Sequence, residues 1–224
     1  MNSVQRSLAV AGAGVAILAG AWLVFPHNEA LREIPYYDPL EAGLKKTTDP
    51  GTHYTVSDFK LIDQSGDTIS RSDFAGKITV VDFFFVNCQG ICPIMNTNLS
   101  KVYEAYKGND KIAFISHTVN PENDSVPVLA EHAKKYDADV KQWHFVTGDK
   151  KEIYRLARKS YLVSDTEGDG SKEDFVHSQN FAVVDADGHI RGIYDGTEEK
   201  EIERLISDLK ILLASQQSTA NSQQ

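Results

Sequence analysis

One segment constrains the fold of this chain more than any other, because an apolar strand runs directly into a pair of cysteines. The residues from Ile78 to Val86 are almost all apolar, β-branched or aromatic, which indicates a strand buried on both faces of a sheet. The strand is followed at once by Cys88-Gln89-Gly90-Ile91-Cys92-Pro93, and Pro93 predicts the first turn of a helix that extends to about Lys107. The sequence therefore predicts a reactive pair where a central strand ends and a helix begins.

Further strands and helices alternate along the chain. We expect hairpin strands at 56–61 and 68–70, single strands at 111–117 and 142–146, and a second hairpin at 180–185 and 189–194 around Asp187-Gly188. Helices are predicted at 124–136, 150–159 and 198–213, the last with one apolar stripe. This order predicts an α/β domain with a thioredoxin-like fold, in which helices flank a central mixed sheet.

The N-terminal part of the chain differs in composition from the rest. The run from Leu8 to Phe25 carries no charge, and its eighteen residues are near the lower limit for crossing a bilayer of about 30 Å. Because Arg6 precedes this run, we expect a transmembrane anchor that leaves residues 1–7 in the cytoplasm and exports everything after Phe25. A signal peptide cut after Ala19-Gly20-Ala21 is the alternative. The exported side is expected to be the bacterial periplasm, with the mitochondrial intermembrane space as the less favoured compartment.

The remaining organisation follows from composition. Residues 26–54 contain four of the seven prolines and are predicted to be a linker, while 55–214 form the folded domain. Residues 215–224 are rich in Ser, Gln, Thr and Asn, which predicts a disordered tail. A formal net charge of −9 argues against a nucleic-acid-binding protein, which would carry a basic stripe.

The two cysteines are the only ones in the chain, and their proximity indicates a chemical role. An exported domain held together by disulfides would scatter its cysteines, whereas a pair that closes one very small loop adds little stability. A helix N-terminus lowers the pKa of a thiol, which favours both metal binding and redox exchange. The three residues between Cys88 and Cys92 can place two sulfurs around a metal, although a Cys88–Cys92 disulfide is also compatible with this spacing.

Two thiolates do not complete a metal site, so a third ligand is expected elsewhere. Of the seven histidines, His177 lies just before the strand that starts near Asn180, in a loop that faces the cysteine turn in a thioredoxin layout. Redox thioredoxins carry a proline in that loop, but this chain has none after Pro127. Two Cys and one His suit Cu(I) and can hold Cu(II), whereas zinc usually requires a fourth ligand. The sequence therefore predicts copper bound by Cys88, Cys92 and His177, against the simpler interpretation of His177 as a surface-loop residue.

These residues resemble the Sco/SenC family of copper chaperones. The family motif of Cys, three residues and Cys-Pro is matched from Cys88 to Pro93, and its distant histidine with the following strand is matched from His177 to Asp185. The stretch 115–125 resembles the family segment before the second helix, and the whole resemblance covers roughly residues 54–213. It implies delivery of copper to the binuclear copper site of cytochrome c oxidase subunit II or to another copper-accepting protein. It also implies thiol–disulfide chemistry on that site's cysteines as a second activity.

The chain departs from the family pattern at three positions. Val176 stands where many members have Asp before the histidine, and Asn120 and Asn123 stand where many have Asp and Arg. Two alternatives remain open: an exported thiol–disulfide oxidoreductase in which Cys88 attacks and Cys92 resolves, and a copper or redox sensor. Among the other histidines, His117 is a weaker candidate for a supporting role at the site, and His144 is expected to be structural.

Overall fold

The computed structural model of the protein describes residues 32–40, 43–49, 51–164, 168, 171, 174 and 176–222. The strands are β1 (Tyr36–Leu40), β2 (Gly43–Thr47), β3 (Lys60–Asp63), β4 (Thr68–Ser70), β5 (Ile78–Phe84), β6 (Ile112–Thr118), β7 (Trp143–Thr147), β8 (Asn180–Val184) and β9 (Ile190–Asp195). The helices are α1 (Cys92–Tyr106), α2 (Val126–Lys134), α3 (Lys150–Arg155) and α4 (Glu199–Ser222). A 3₁₀ turn, Arg71–Phe74, follows β4, and a π-helical turn, Leu156–Ser160, extends α3.

Seven of these strands form one mixed sheet in the order β4-β3-β7-β6-β5-β8-β9. β5 lies near the centre, parallel to β6 and antiparallel to β8, while β6 is also parallel to β7. All seven residues of β5 are buried, as its apolar sequence predicts. The end of this strand therefore holds the cysteine turn at the middle of the sheet edge.

Alternate residues of β5 point to two separate apolar clusters, one on each face of the sheet. Val80 and Phe84 belong to the first cluster, which contains Cys92 and the buried sides of α1, α2 and α4. Val81 and Phe83 belong to the second, which contains the buried residues of α3, the π-helical turn and the 3₁₀ turn. We call these the α1 face and the α3 face of the sheet. Period-two alternation in one strand thus separates the environment of the cysteines from the opposite core.

The predicted order of strands and helices is confirmed, including both hairpins and the strand, cysteine turn and helix at the centre. α4 is longer than predicted, since it continues to Ser222 through much of the segment for which composition indicated disorder. No Gly or Pro follows Leu213, so the sequence contains no strong helix-stop residue there.

Part of the predicted linker is also ordered. β1 and β2 pair as an antiparallel hairpin, and the described residues from Ile34 onward belong to one compact unit. The Arg191 side chain on β9 donates to the backbone carbonyls of Ile34 and Pro35, and its guanidinium lies 3.9 Å from the Tyr36 ring centroid. These contacts attach the hairpin to the edge of the large sheet.

The predicted membrane anchor, 8–25, and the residues before it lie outside the described residues. Within the part of the chain that the structure describes, no helix combines the length and the apolar character needed to cross a bilayer.

Candidate metal and thiol site

The two cysteines lie in the turn that joins β5 to α1. The chain turns back after β5, where the N–H of Cys88 donates to the carbonyl of Phe85 over 3.3 Å. α1 begins at Cys92 with Pro93 in its first turn, and the carbonyl of Ile91 accepts the first hydrogen bonds of the helix. Both thiols are free, with Cys88 half-buried and Cys92 only 7% exposed.

Local contacts give the two thiols different acidities. Burial by itself would raise the pKa of Cys88, but hydrogen bonds from the Cys92 thiol and from the backbone at Cys92, Gly90 and Ile91 outweigh it and lower that pKa. These backbone groups are at the start of α1, where unpaired N–H donors stabilise negative charge. Burial, followed by the interaction with Cys88, raises the pKa of Cys92 to about 12. The pair therefore contains one sulfur that ionises readily and one that keeps its proton as a donor to the first.

We expect a thiol reagent to distinguish the two cysteines. Iodoacetamide at pH 7.5 should alkylate Cys88 at least about tenfold faster than Cys92, because the thiolate reacts and Cys88 is the more exposed. Mass spectrometry of peptides sampled over time measures both rates. Cys92→Ser should keep Cys88 reactive because a hydroxyl can still donate to its thiolate, whereas Cys92→Ala should slow it. Faster modification of Cys92 in the parent protein would contradict this assignment.

His177 faces the cysteine turn from the segment that precedes β8. Its side chain is exposed and lines a cavity of about 310 Å³ together with Ile91, which lies between the two cysteines. The same segment is fixed to the chain after the π-helical turn, where the Ser178 hydroxyl donates to the Val163 carbonyl over 2.8 Å. The structure thus brings the predicted histidine to the cavity beside the cysteine turn, as its place in the topology predicted.

The donor set partly fits a copper ion. Two soft sulfur donors lie close enough for the Cys92 thiol to lower the pKa of Cys88, and an imidazole lines the adjoining cavity. Among the described residues, however, no three His, Cys, Asp or Glu side chains are close enough together to hold a metal ion. Metal binding by all three predicted ligands would therefore require His177 to move towards the sulfurs. The assignment of Cys88, Cys92 and His177 as ligands stays a prediction.

The remaining residues singled out in the sequence lie away from the sulfurs. His117 is fully buried on the α3 face, where it stacks on Phe83 with 4.7 Å between ring centroids. This position does not support a role for His117 at the cysteines. His144 is structural as predicted, with its Nδ1 3.1 Å from an oxygen of Asp63. Val176, where many family members have Asp, is buried in the cluster on the α3 face.

Two buried acids near the cysteine turn were missed by the sequence reasoning. Asp82 is fully buried in β5 on the α1 face, and its charge is one of the influences that raise the pKa of Cys92. Asp124, also fully buried, accepts hydrogen bonds from the Val86 N–H and the Thr118 hydroxyl, and so ties the end of β5 to the end of β6. A signal for Asp82 was present, since it is the one charged residue in the apolar run 78–86.

Comparison with known proteins identifies the family. The SCO1/SenC family model matches residues 47–214. The SCO1 protein homolog of Bacillus subtilis is 32% identical over 172 residues, which cover 75% of this chain and 87% of that protein. A solved structure of BsSco, described as a member of the Sco family of cytochrome c oxidase assembly proteins with a disulfide switch, is 31% identical. Its TM-score is 0.60, and the match covers 70% of this chain and 92% of that one.

A second solved structure, a SCO1/SenC family lipoprotein from Bacillus anthracis, is 27% identical with a TM-score of 0.62 and covers 71% of this chain and 95% of that chain. Because the family model spans most of the chain and the Bacillus subtilis relative is matched over most of its length, this protein belongs to the SCO1/SenC family.

Proposed function

We propose that this protein binds copper through Cys88, Cys92 and His177 and delivers it to the binuclear copper site of cytochrome c oxidase subunit II. One observation carries the proposal: two thiols lie at a helix N-terminus, and a histidine lines the cavity next to them. The chain also belongs to the SCO1/SenC family. Thiolate and imidazole are donors that copper prefers. The related protein BsSco is described as a member of a family of cytochrome c oxidase assembly proteins, which supports this oxidase as the acceptor of the copper.

The residues have separate parts in this proposal. The backbone donors around Cys88 favour its thiolate, so this sulfur would be the first to meet an incoming ion. Metal binding would then displace the proton of Cys92, whose thiol otherwise donates to Cys88. His177 is exposed, so it can also leave the ion without unpacking the core. An exposed third ligand is suited to a protein that must release its copper to a partner.

Copper titration of the full chain in its reduced form tests the proposal. We expect one copper per chain and, with Cu(II), a sulfur-to-copper charge-transfer band. Cys88→Ser, Cys92→Ser and His177→Ala should each abolish stoichiometric copper binding while leaving the fold intact. Gln179→Ala is the matched control, since this exposed residue lines the same cavity but supplies no copper donor. Unchanged binding of both Cu(I) and Cu(II) by His177→Ala would overturn the three-ligand assignment.

Thiol–disulfide exchange is the second candidate, and the unequal acidities of the two cysteines favour it. In this reaction the Cys88 thiolate attacks a partner disulfide, forms a mixed disulfide and releases one partner thiolate. The Cys92 thiolate, once its proton is lost, then attacks the Cys88 sulfur, which frees the second partner thiol and leaves a Cys88–Cys92 disulfide. Reduction of a protein disulfide by a chain that retains no copper would favour this candidate over copper delivery.

We also propose that residues 8–25 anchor the protein in a membrane with the domain on the exported side, in the bacterial periplasm. The uncharged run and the preceding Arg6 support this orientation. Protease treatment of intact spheroplasts tests it, because an exported domain is digested and a cytoplasmic one is protected.

A further inference from the structure

We propose that the protein has a second ligand site, a cavity on the α3 face that binds a small amphipathic carboxylate. The cavity has a volume of about 310 Å³ and lies against β5, β6 and β8 on the side of the sheet opposite α1. This volume is at the lower end of the range for small-molecule sites, roughly 300–1,000 Å³. The cavity is separate from the cysteine turn and has no part in the proposed copper chemistry.

Most of the cavity wall is apolar. The side chains that form it come from the segment before β3, the 3₁₀ turn and the three central strands: Val56, Phe59, Phe74, Val81, Ile115 and Val184. Each of these residues is buried in the apolar cluster of the α3 face. A ligand would therefore need a hydrocarbon body to replace water against these side chains.

Three side chains that line the same cavity have hydrogen-bond donors that are not used within the described structure. Tyr161 and Thr79 are 3% and 5% exposed, and neither side-chain hydroxyl is bonded to any other residue that the structure describes. The half-buried Arg71 donates one hydrogen bond, from Nη2 to the Asp187 carbonyl over 3.1 Å, and forms no ion pair within the described chain. Nearly buried polar groups are normally paired, so unpaired donors around a cavity indicate an acceptor group on a ligand.

Of the two acids on the cavity wall, Asp185 is ion-paired and Asp58 points to solvent. Asp185 accepts backbone hydrogen bonds from Asp187 and His189 and pairs with the Arg191 guanidinium at 3.0 Å. Asp58 is exposed and accepts from the N–H of Phe59. Among the described side chains at the cavity, the Arg71 guanidinium is therefore the half-buried charge outside any ion pair, whereas the Asp58 carboxylate keeps its charge in solvent. The planar fork of the guanidinium matches a carboxylate. Apolar walls with this head-group site select a short fatty acid or a similar amphipathic acid.

Calorimetric titration of the full chain with octanoate tests the inference, with octanol as the uncharged probe of the same length. We expect octanoate to bind the parent, and Arg71→Gln to weaken it about tenfold through loss of a charge-assisted hydrogen bond. Lys77→Gln is the matched control, since it removes one positive charge from the neighbouring segment without lining the cavity. Octanol should bind the parent and Arg71→Gln equally.

A second variant and a second measurement locate the site. Ala75 is exposed and lines the cavity, so Ala75→Phe should fill its mouth without disturbing the core and should abolish binding of both probes. In NMR spectra of the parent, octanoate should shift the methyl resonances of Ile115 and Val184 and leave that of Ile91 unchanged. Octanoate affinity that Arg71→Gln leaves unchanged, or methyl shifts that spare Ile115 and Val184, would overturn the proposal.

Discussion

Replacing Arg158 with Ala is expected to destabilise the domain by about 3–5 kcal/mol, because it removes the guanidinium that forms an ion pair with a buried carboxylate. Arg158 and Asp174 form two parallel hydrogen bonds of 2.7 and 2.5 Å, and their side chains are only 8% and 7% exposed. The guanidinium also lies over the Tyr154 ring at 5.4 Å from its centroid. Loss of one partner of such a pair is far more costly than loss of an exposed ion pair.

The same pair ties the segment that precedes His177 to the π-helical turn. Asp174 is three residues before the histidine, and its backbone carbonyl is 3.4 Å from the Tyr154 hydroxyl. Arg158→Ala should therefore weaken copper binding as well as stability, while the Cys88 alkylation rate stays near that of the parent. This combination separates a positioning effect at His177 from a general loss of folding.

Thermal unfolding of parent and variant measures the stability effect, and a shift of about 10 °C is expected for a domain of this size. Lys134→Ala is the control, since its ion pair with Glu131 is 70% and 71% exposed and should contribute nothing measurable. A decrease of less than 1 kcal/mol in Arg158→Ala would mean that water replaces the guanidinium at Asp174.

The centre of the fold could be predicted from the sequence because its determinants are local. An apolar run followed by Cys-Pro indicates a buried strand and a helix start whatever surrounds them, and both were found at β5 and α1. The position of His177 beside Ile91 also followed, since the topology places the segment before β8 at the same edge of the sheet. Local pattern and topology together identified the candidate site.

Other features depend on contacts that no local pattern encodes. The β1–β2 hairpin has no buried position and contains Pro39, so its sequence lacks the alternation of a half-buried strand. Its attachment comes from Arg191, more than 150 residues later in the chain. The ion pair of Arg158 with Asp174 likewise joins two segments whose charges look solvated in the sequence. Such long-range polar contacts decide where segments dock, and they become visible only in three dimensions.

Asp82→Asn is expected to change stability in a strongly pH-dependent way. Burial raises the pKa of Asp82 from 3.8 to about 7, with the nearby Ser116 hydroxyl opposing part of the shift. That hydroxyl already accepts from the Trp143 indole, and neither carboxylate oxygen of Asp82 has a hydrogen bond of good geometry in the described structure. The unfolded chain therefore releases this proton at lower pH than the folded protein, and stability falls as pH rises from about 4 to 7.

This loss of stability is complete above pH 7 and amounts to about 4 kcal/mol, because the pKa of Asp82 is about 7 in the folded protein and 3.8 in the unfolded chain. Asn has no charge to bury, but its amide N–H groups lack acceptors at this position and cost about 1–3 kcal/mol. This cost is the same at all pH values. The free energy of unfolding of the variant, relative to that of the parent, should thus rise by about 4 kcal/mol between pH 4 and pH 8. At pH 8 the variant should be the more stable protein.

Urea unfolding of both proteins at pH 4, 6 and 8 measures this difference. Burial lowers the pKa values of His117 and His132 to about 3 and 4, so both proteins lose stability below pH 6.5, and this loss cancels in the comparison. Asp208→Asn is the control, because that buried carboxylate accepts from Tyr194 and pairs with Arg204, and its loss should destabilise at pH 8. If the free energies of unfolding of Asp82→Asn and the parent differed by the same amount at all three pH values, Asp82 would not be the buried group that binds a proton in this range.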